Sequence, residues 1–150
     1  MKAPLTFLTL LFMLGSSNSA EDPPRVMLGR ERCSDGREYL FELDRSKVAK
    51  LSAWHPESDG PAPISLKRAC EIGRATLKAR HPAIDEFEIT RLAINEMVST
   101  KRLGSWYYSL SYVGKRDGKS VPSCGFIVVV LMDGSSVEPI VTLPEKSDAP

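Results

Sequence analysis

The chain of 150 residues carries 20 Lys and Arg against 19 Asp and Glu, a formal net charge of +1 at pH 7. A chain so close to neutral has no long-range positive field that would gather nucleic acid or an anionic lipid surface. It has three cysteines and two histidines, and it contains no nucleotide-binding glycine loop and no Cys-x-x-Cys pair. We therefore expect no nucleic-acid partner and no bound cofactor.

Residues 1–20 have the pattern of a cleaved secretory signal peptide. Lys2 precedes an apolar run at residues 4–14, and small residues follow as far as Ala20. The run is about half of the roughly 20 apolar residues that a membrane-spanning helix needs. We predict cleavage after Ala20, or one or three residues earlier, and a periplasmic or secreted chain without a membrane span. The alternative is a buried N-terminal helix.

About 130 residues follow this segment, enough for one hydrophobic core but not for two. Residues 21–36 are predicted to be an extended, proline-containing leader that ends in a turn. Residues 37–143 are predicted to form a single domain. Residues 144–150 have little apolar surface to bury, so a disordered tail is expected there.

The first strand pattern of the predicted domain lies at Tyr39, Phe41 and Leu43, which alternate as a half-buried strand requires. We expect residues 48–54 to return as the second strand of an N-terminal β-hairpin. Residues 55–63 contain three prolines and an Asp-Gly pair, so a loop is expected to follow the hairpin.

The sequence predicts one long helix that is capped by Ser65 and extends to about residue 80. Ser65 can accept a hydrogen bond from a free amide of the first turn, and Pro82 disfavours helical geometry in the residue before it. Gly73 costs a helix roughly 1 kcal/mol relative to Ala, so we expect it to allow close approach to a sheet. The buried stripe recurs at three- and four-residue steps: Leu66, Ala69, Cys70, Gly73, Thr76 and Leu77. The outer face is basic: Lys67, Arg74 and Lys78.

A strand with an irregularity is predicted after the helix. The odd-numbered Phe87 and Ile89 alternate with polar residues. The even-numbered Leu92 and Ile94 continue the apolar pattern on the opposite parity. One face can stay buried through this change only if a β-bulge lies near Thr90.

The remaining strands complete an antiparallel meander. Residues 106–113 alternate most regularly, residues 115–120 form a basic hairpin tip, and residues 126–132 are apolar on both faces, as in a covered central strand. Residues 137–143 are expected to pair back at an edge, because Pro139 lacks a backbone N–H. The predicted fold class is α+β, with one main helix packed on an antiparallel β-meander and an N-terminal β-hairpin.

The order of these elements resembles the PepSY-type domain, a small exported family with a cystatin-like fold. The likeness extends over roughly residues 64–141 and is carried by short segments: PISL at 63–66, FEI at 87–89, YYSL at 107–110 and VVVLMDG at 128–134. The resemblance implies a secreted or periplasmic module that binds or inhibits peptidases. It brings no catalytic residues.

Export would place Cys33, Cys70 and Cys124 in an oxidising compartment, where one disulfide with one thiol left over is the natural arrangement. Cys33 and Cys124 lie in turn-rich segments before strands, whereas Cys70 lies on the helix stripe. We predict a disulfide between Cys33 and Cys124. The alternatives are no disulfide at all and a pair that uses Cys70.

No catalytic or metal-binding constellation can be assembled from the sequence. His55 and His81 are far apart along the chain, whereas helical metal-binding pairs are separated by three or four residues. The acids Asp85, Glu86 and Glu88 cluster at a helix-to-strand connection, where carboxylates are usually solvated. We therefore expect a protein that is not an enzyme and has no metal site.

Aromatic and basic residues adjoin a strand at Trp106, Tyr107, Lys115 and Arg116, and we predict a partner-binding surface there. Backbone pairing at a strand edge would supply its affinity. We expect an exported, non-catalytic binding or inhibitory module of the cell envelope that acts on a peptidase, an extended peptide or another envelope protein. The alternative is a structural envelope or secreted protein without a specific ligand.

Overall fold

The computed structural model of the chain describes residues 25–97, 104–121 and 124–143, which form antiparallel strands and two helices. The predicted signal peptide and C-terminal tail lie outside the described residues. The elements are β1 (Arg25–Arg32), β2 (Glu38–Asp44), α1 (Arg45–Val48), α2 (Leu66–Arg80), β3 (Glu86–Glu96), β4 (Trp106–Arg116), β5 (Lys119–Ser120), β6 (Ile127–Leu131), β7 (Ser136–Val137) and β8 (Ile140–Thr142).

The strands form two sheets. The first sheet has the order β1-β2-β8, and the second has the order β3-β4-β6-β7, with β5 paired to the end of β4. Every strand pair is antiparallel. The predicted α+β class is confirmed, but the single predicted meander corresponds to two sheets.

The second sheet is covered on both faces. Helix α2 packs mainly on β4, β6 and β7, and the first sheet approaches β6 and β7 from the opposite side. Val128, Val129 and Val130 are 0%, 1% and 0% exposed, although successive residues of a strand point to opposite faces. The apolar pattern of residues 126–132 therefore reflects two hydrophobic cores, one on each side of β6.

The N-terminal hairpin consists of β1 and β2, so the prediction of a return strand at residues 48–54 is wrong. Val48 ends the short helix α1, and Val48 and Leu51 are both buried in the core between the sheets. Their spacing of three residues fits a helical turn better than a strand. Strand β1 lies within residues 21–36, which the sequence predicts as extended, and it pairs along its length with β2.

The C-terminal strand pattern is divided at Pro139, rather than forming one strand that pairs back on β6. Strand β7 pairs with β6, whereas β8 crosses to the first sheet and pairs with β2. A proline cannot donate the backbone hydrogen bond that would continue the ladder. Pro139 therefore lies where the chain changes from one sheet to the other.

The predicted bulge in β3 is confirmed. The register between β3 and β4 shifts between Ile89 and Arg91, so Thr90 is the extra residue. Its hydroxyl donates a hydrogen bond to the Ser111 carbonyl at 3.3 Å. Because of the bulge, Ile89 and Leu92 lie on the same face of the sheet, opposite Tyr112 and Leu110 respectively.

Gly73 allows α2 to lie directly against β4, as the sequence indicates. A Cβ atom at this position would collide with the Tyr112 hydroxyl and lie 2.9 Å from Leu110 Cδ1. Helix α2 is further fixed at its start, where the Ser65 side chain accepts a hydrogen bond from the Arg68 amide at 3.2 Å. The predicted N-cap is therefore confirmed.

We expect Gly73→Ala to lower the free energy of unfolding even though alanine is the better helix former. Overpacking costs about 1–3 kcal/mol, whereas the gain in helix propensity is about 1 kcal/mol. Urea denaturation measures the net change. Combining Gly73→Ala with Tyr112→Phe removes the colliding oxygen and should recover part of the loss; stabilisation by Gly73→Ala alone would contradict the close packing.

The predicted disulfide between Cys33 and Cys124 is present, with a Cα–Cα distance of 5.7 Å and a sequence separation of 91 residues. It joins the turn after β1 to the segment before β6. Cys70 is the cysteine outside the disulfide and is half-buried on α2. The bond therefore ties the first sheet to the second.

Replacing both Cys33 and Cys124 by serine should lower the free energy of unfolding by about 4–5 kcal/mol, because closing so long a loop restricts the unfolded chain. Thermal denaturation of the oxidised protein and of the double variant measures the loss. Cys70→Ser is the matched control and should change stability much less. A peptide map under non-reducing conditions that links Cys70 to either partner would contradict the assignment.

Candidate functional site

The aromatic part of the predicted partner-binding surface is part of the folded interior. Tyr107 is 8% exposed and lies in the core between the two sheets. Its hydroxyl donates a hydrogen bond to the Leu28 carbonyl at 2.6 Å, and burial raises the pKa of this phenol. Trp106 is half-buried and packs edge-on against Trp54, with ring centroids 6.0 Å apart. Both side chains have structural partners.

The basic part of that predicted surface lies at the other end of β4. Lys115 forms an ion pair with Glu88, and Arg116 Nε donates to the Ala83 carbonyl at 3.1 Å. Since a strand rises about 3.3 Å per residue, roughly 30 Å separates these residues from Trp106. Strand β4 also has β3 on one side and β6 on the other. The structure therefore does not bring the four residues together beside a free edge.

Strand β3 lies at one edge of the second sheet. This strand has 11 residues and pairs only with β4 among the described strands. The Met97 amide donates to the Ser105 carbonyl at 2.8 Å, and hydrogen-bonded pairs alternate along an antiparallel ladder. The alternation places Asn95 and Ala93, two and four residues before Met97, in backbone hydrogen bonds with β4. The backbone groups of Ile94 and Leu92 therefore point away from the sheet.

The side chains of these outward-bonding residues lie on the α2 side of the sheet. Ile94 and Leu92 stand opposite Tyr108 and Leu110, which belong to the core beneath the helix. The exposure of these side chains increases toward the Ile94 end of the strand. Phe87 is 6% exposed, whereas Ile94 is 43% exposed. The edge strand therefore presents apolar side chains together with backbone groups that no described strand pairs.

An open groove of about 820 Å³ separates α2 from one end of β3. It is lined by Arg74 and Lys78 of the helix, by Asp85 of the connection, and by the first four residues of the strand: Glu86, Phe87, Glu88 and Ile89. The groove exists because α2 packs mainly on β4, β6 and β7 and leaves β3 less covered. The groove therefore lies between helix α2 and the edge strand β3.

Most charged groups around the groove already have partners. Lys78 Nζ donates to the carbonyls of Pro82 and Ile84, and an Asp85 carboxylate oxygen accepts a hydrogen bond from the Asp117 amide at 2.7 Å. Glu88 pairs with Lys115. Arg74 is exposed and makes no hydrogen bond or ion pair with any residue in the described part of the chain. Its guanidinium is therefore available to a ligand.

Tyr112 forms part of the core below this groove. Its hydroxyl donates to the Cys70 carbonyl at 3.3 Å. Burial, together with the neighbouring Cys70, raises the pKa of Tyr112 to about 12, although the Arg74 charge acts in the opposite direction. The phenol therefore stays protonated at neutral pH and serves as a hydrogen-bond donor that holds α2 on the sheet.

The other described strand edges offer shorter ladders. At β7, Arg80 donates to the Val137 carbonyl at 3.2 Å and to Glu138 at 3.0 Å, and β8 has three residues. Strand β1 shifts register between Met27 and Gly29. It also carries exposed charged side chains that form ion pairs with acids of β2: Arg25, Arg30 and Arg32. Bulges and charges of this kind protect an edge from pairing.

The described residues contain one cluster with the composition of a metal site, formed by Cys33, Asp35 and Cys124. Both sulfur atoms belong to the disulfide, so neither is a thiolate ligand. His55 donates its backbone N–H to Asp59 at 2.7 Å, and His81 packs edge-on against Phe126. Burial lowers the pKa of His81, which favours its neutral form in this packed position.

No family model, no curated protein and no solved structure matches this chain. Its likeness to the PepSY-type domain therefore stays a prediction. Within the described ranges, the helices are too short or too polar to cross a membrane.

The sequence pattern predicts a binding surface on β4, whereas the candidate site in the structure lies at β3 and Arg74. The composition of residues 86–96 gives a sign of an edge strand. The face of this strand opposite Phe87 and Ile89 carries Glu86, Glu88 and Arg91. A strand with charges on one face fits an edge, whereas residues 126–132 are apolar on both faces. The position of Arg74 beside this edge depends on how the helix is placed on the sheet, which periodicity does not specify.

Proline substitutions in β3 should distinguish the residues whose amides are hydrogen-bonded to β4 from those whose amides point away from the sheet. Ala93→Pro removes an amide that is bonded to β4 and should lower the melting temperature markedly, whereas Ile94→Pro removes an outward amide and should lower it much less. Ile94→Ala controls for the lost side chain. Equal destabilisation by the two prolines would show that the assigned ladder pattern is incorrect.

Proposed function

We propose that this protein is an exported, non-catalytic binding module that receives an extended segment of another envelope protein as an additional strand along β3. The observation that carries the proposal is the long free edge of β3 beside the groove under α2. Backbone pairing with an exposed sheet edge is an established mode of peptide recognition, and pockets for alternate side chains provide its selectivity.

The composition of β3 favours a foreign segment over a second copy of this chain. Full-length antiparallel pairing of β3 with itself would place Glu86 opposite Glu96 at both ends of the ladder. Like charges directly opposite each other destabilise a strand pair. The bulge at Thr90 further limits symmetric pairing, since bulges disrupt the ladder locally.

Two observations support an extracytoplasmic location. The signal-peptide pattern of residues 1–20 predicts export, and the disulfide between Cys33 and Cys124 is of a kind that persists in oxidising compartments. A peptidase is the class of partner favoured by the PepSY resemblance, since that family is expected to bind or inhibit peptidases. In this proposal the module contributes a binding surface and no reacting group.

The proposal can be tested with a displayed library of random 12-residue peptides, selected on the oxidised domain that begins at residue 21. We expect peptides that bind the unmodified domain and lose at least tenfold in affinity with Ile94→Pro, because the outward amide of β3 is removed. Isothermal titration with synthetic copies of the selected peptides measures the change.

Ile94→Ala is the matched control, since it retains the amide, and it should weaken binding less than the proline does. Melting temperatures confirm that each variant is folded. Equal binding to the unmodified domain and to Ile94→Pro would remove β3 as the binding edge. Failure to select any peptide would favour the alternative of a structural protein without a specific ligand.

A further inference from the structure

We infer, on the basis of the proposed function, that Arg74 selects an acidic side chain in the bound segment. An apolar side chain two or four positions away then lies beside Leu92 or Ile94, farther along the same face of β3. The bound partner is therefore an extended segment in which an acidic and an apolar residue share one face. Arg74 is the specificity-determining residue in this arrangement.

The first step is the direction of side chains in an added strand. A strand paired to β3 continues the sheet, so its side chains alternate between the two faces. Every second side chain then enters the space between β3 and α2, because Phe87, Ile89, Leu92 and Ile94 already point to that side. The side chains at these positions of the ligand are the ones that the groove can contact and select.

The second step is the orientation of the helix over the edge strand. Tyr108, opposite Ile94, donates to the Ile64 carbonyl just before α2. Tyr112, opposite Ile89, donates to the Cys70 carbonyl farther along the helix. The start of α2 therefore lies toward the Ile94 end of β3, and its later turns lie toward the Phe87 end.

The third step is the chemical character of the two ends of β3. Near Phe87 the groove is lined by the cations Arg74 and Lys78 and by three acids: Asp85, Glu86 and Glu88. The Lys78 ammonium is already bonded to two carbonyls, and Asp85 and Glu88 also have partners. Beyond the groove, Leu92 and Ile94 continue the apolar row on the same face of β3, and Ile94 is 43% exposed. Within the described part of the chain, Arg74 is therefore the cation of the groove that has no hydrogen-bond or ion-pair partner, and apolar side chains continue along β3 beyond the groove.

The free guanidinium explains why a carboxylate is the expected ligand group. Arginine presents paired N–H donors in a fixed geometry that matches a carboxylate. The bulge at Thr90 makes the step from Ile89 to Leu92 equivalent to two residues of a regular strand. In the bound segment, an acidic residue beside Ile89 is therefore two positions from the residue beside Leu92. It is four positions from the residue beside Ile94.

A charge reversal tests the inference with the same random 12-residue peptide library. Selection on the unmodified domain should enrich Asp or Glu two or four positions from an apolar residue. Selection on Arg74→Glu should enrich Lys or Arg at that position instead. Lys119→Glu makes the same change in net charge on the exposed strand β5 and should retain the acidic preference.

Isothermal titration then measures how much the pairing of Arg74 with the acidic residue of the peptide contributes to affinity. For a selected peptide, Glu→Lys should weaken binding to the unmodified domain at least tenfold and restore binding to Arg74→Glu. Peptides that depend on the Ile94 amide but show no acidic preference would overturn the role of Arg74 and leave the edge-binding function standing. Recovery of no binding peptides by the unmodified domain would overturn both proposals.

Discussion

The structure depends on one constraint, which is that β6 is apolar on both faces and must be enclosed on both sides. Burying a side chain such as valine is worth roughly 1.5–3 kcal/mol, and three consecutive valines of β6 are almost completely buried. A single helix covers one face of a sheet. The second face requires the β1-β2-β8 sheet, and the disulfide between Cys33 and Cys124 connects that sheet to the segment that leads into β6.

Strand β4 secures both covering layers with its tyrosines. Tyr107 reaches the Leu28 carbonyl of the first sheet, whereas Tyr108 and Tyr112 reach carbonyls just before and within α2. Buried hydroxyl groups need such partners, because a buried polar group without a hydrogen bond is costly. The aromatic residues that resemble a binding surface in the sequence therefore hold the layers together.

The candidate site follows from the same enclosure. Both layers are centred on β6 and β7, so coverage decreases toward β3 at the far edge. Among the described residues, β3 presents there a long ladder that no further strand pairs, a row of partly covered apolar side chains and an Arg74 guanidinium without a partner. The proposed function uses these features to recognise the backbone and the alternate side chains of an extended segment.

Local patterns in the sequence were sufficient for several features. The helix with its Ser65 cap, the close approach at Gly73 and the bulge near Thr90 each follow from a few neighbouring residues, because capping, size and parity are local properties. The choice of Cys33 and Cys124 as the disulfide also followed from their local context in turn-rich segments before strands.

Features that depend on distant parts of the chain were decided only by the tertiary structure. The pattern at residues 126–132 indicated a strand covered on both faces, but it did not specify that a second sheet supplies the cover. Nor did it show that the chain crosses between sheets at Pro139. Strand β3 lies at an edge of its sheet and β4 does not, because strand order is set by long-range pairing. Periodicity determines which face of a strand is buried; the neighbours of that strand are determined by the packing of the whole chain.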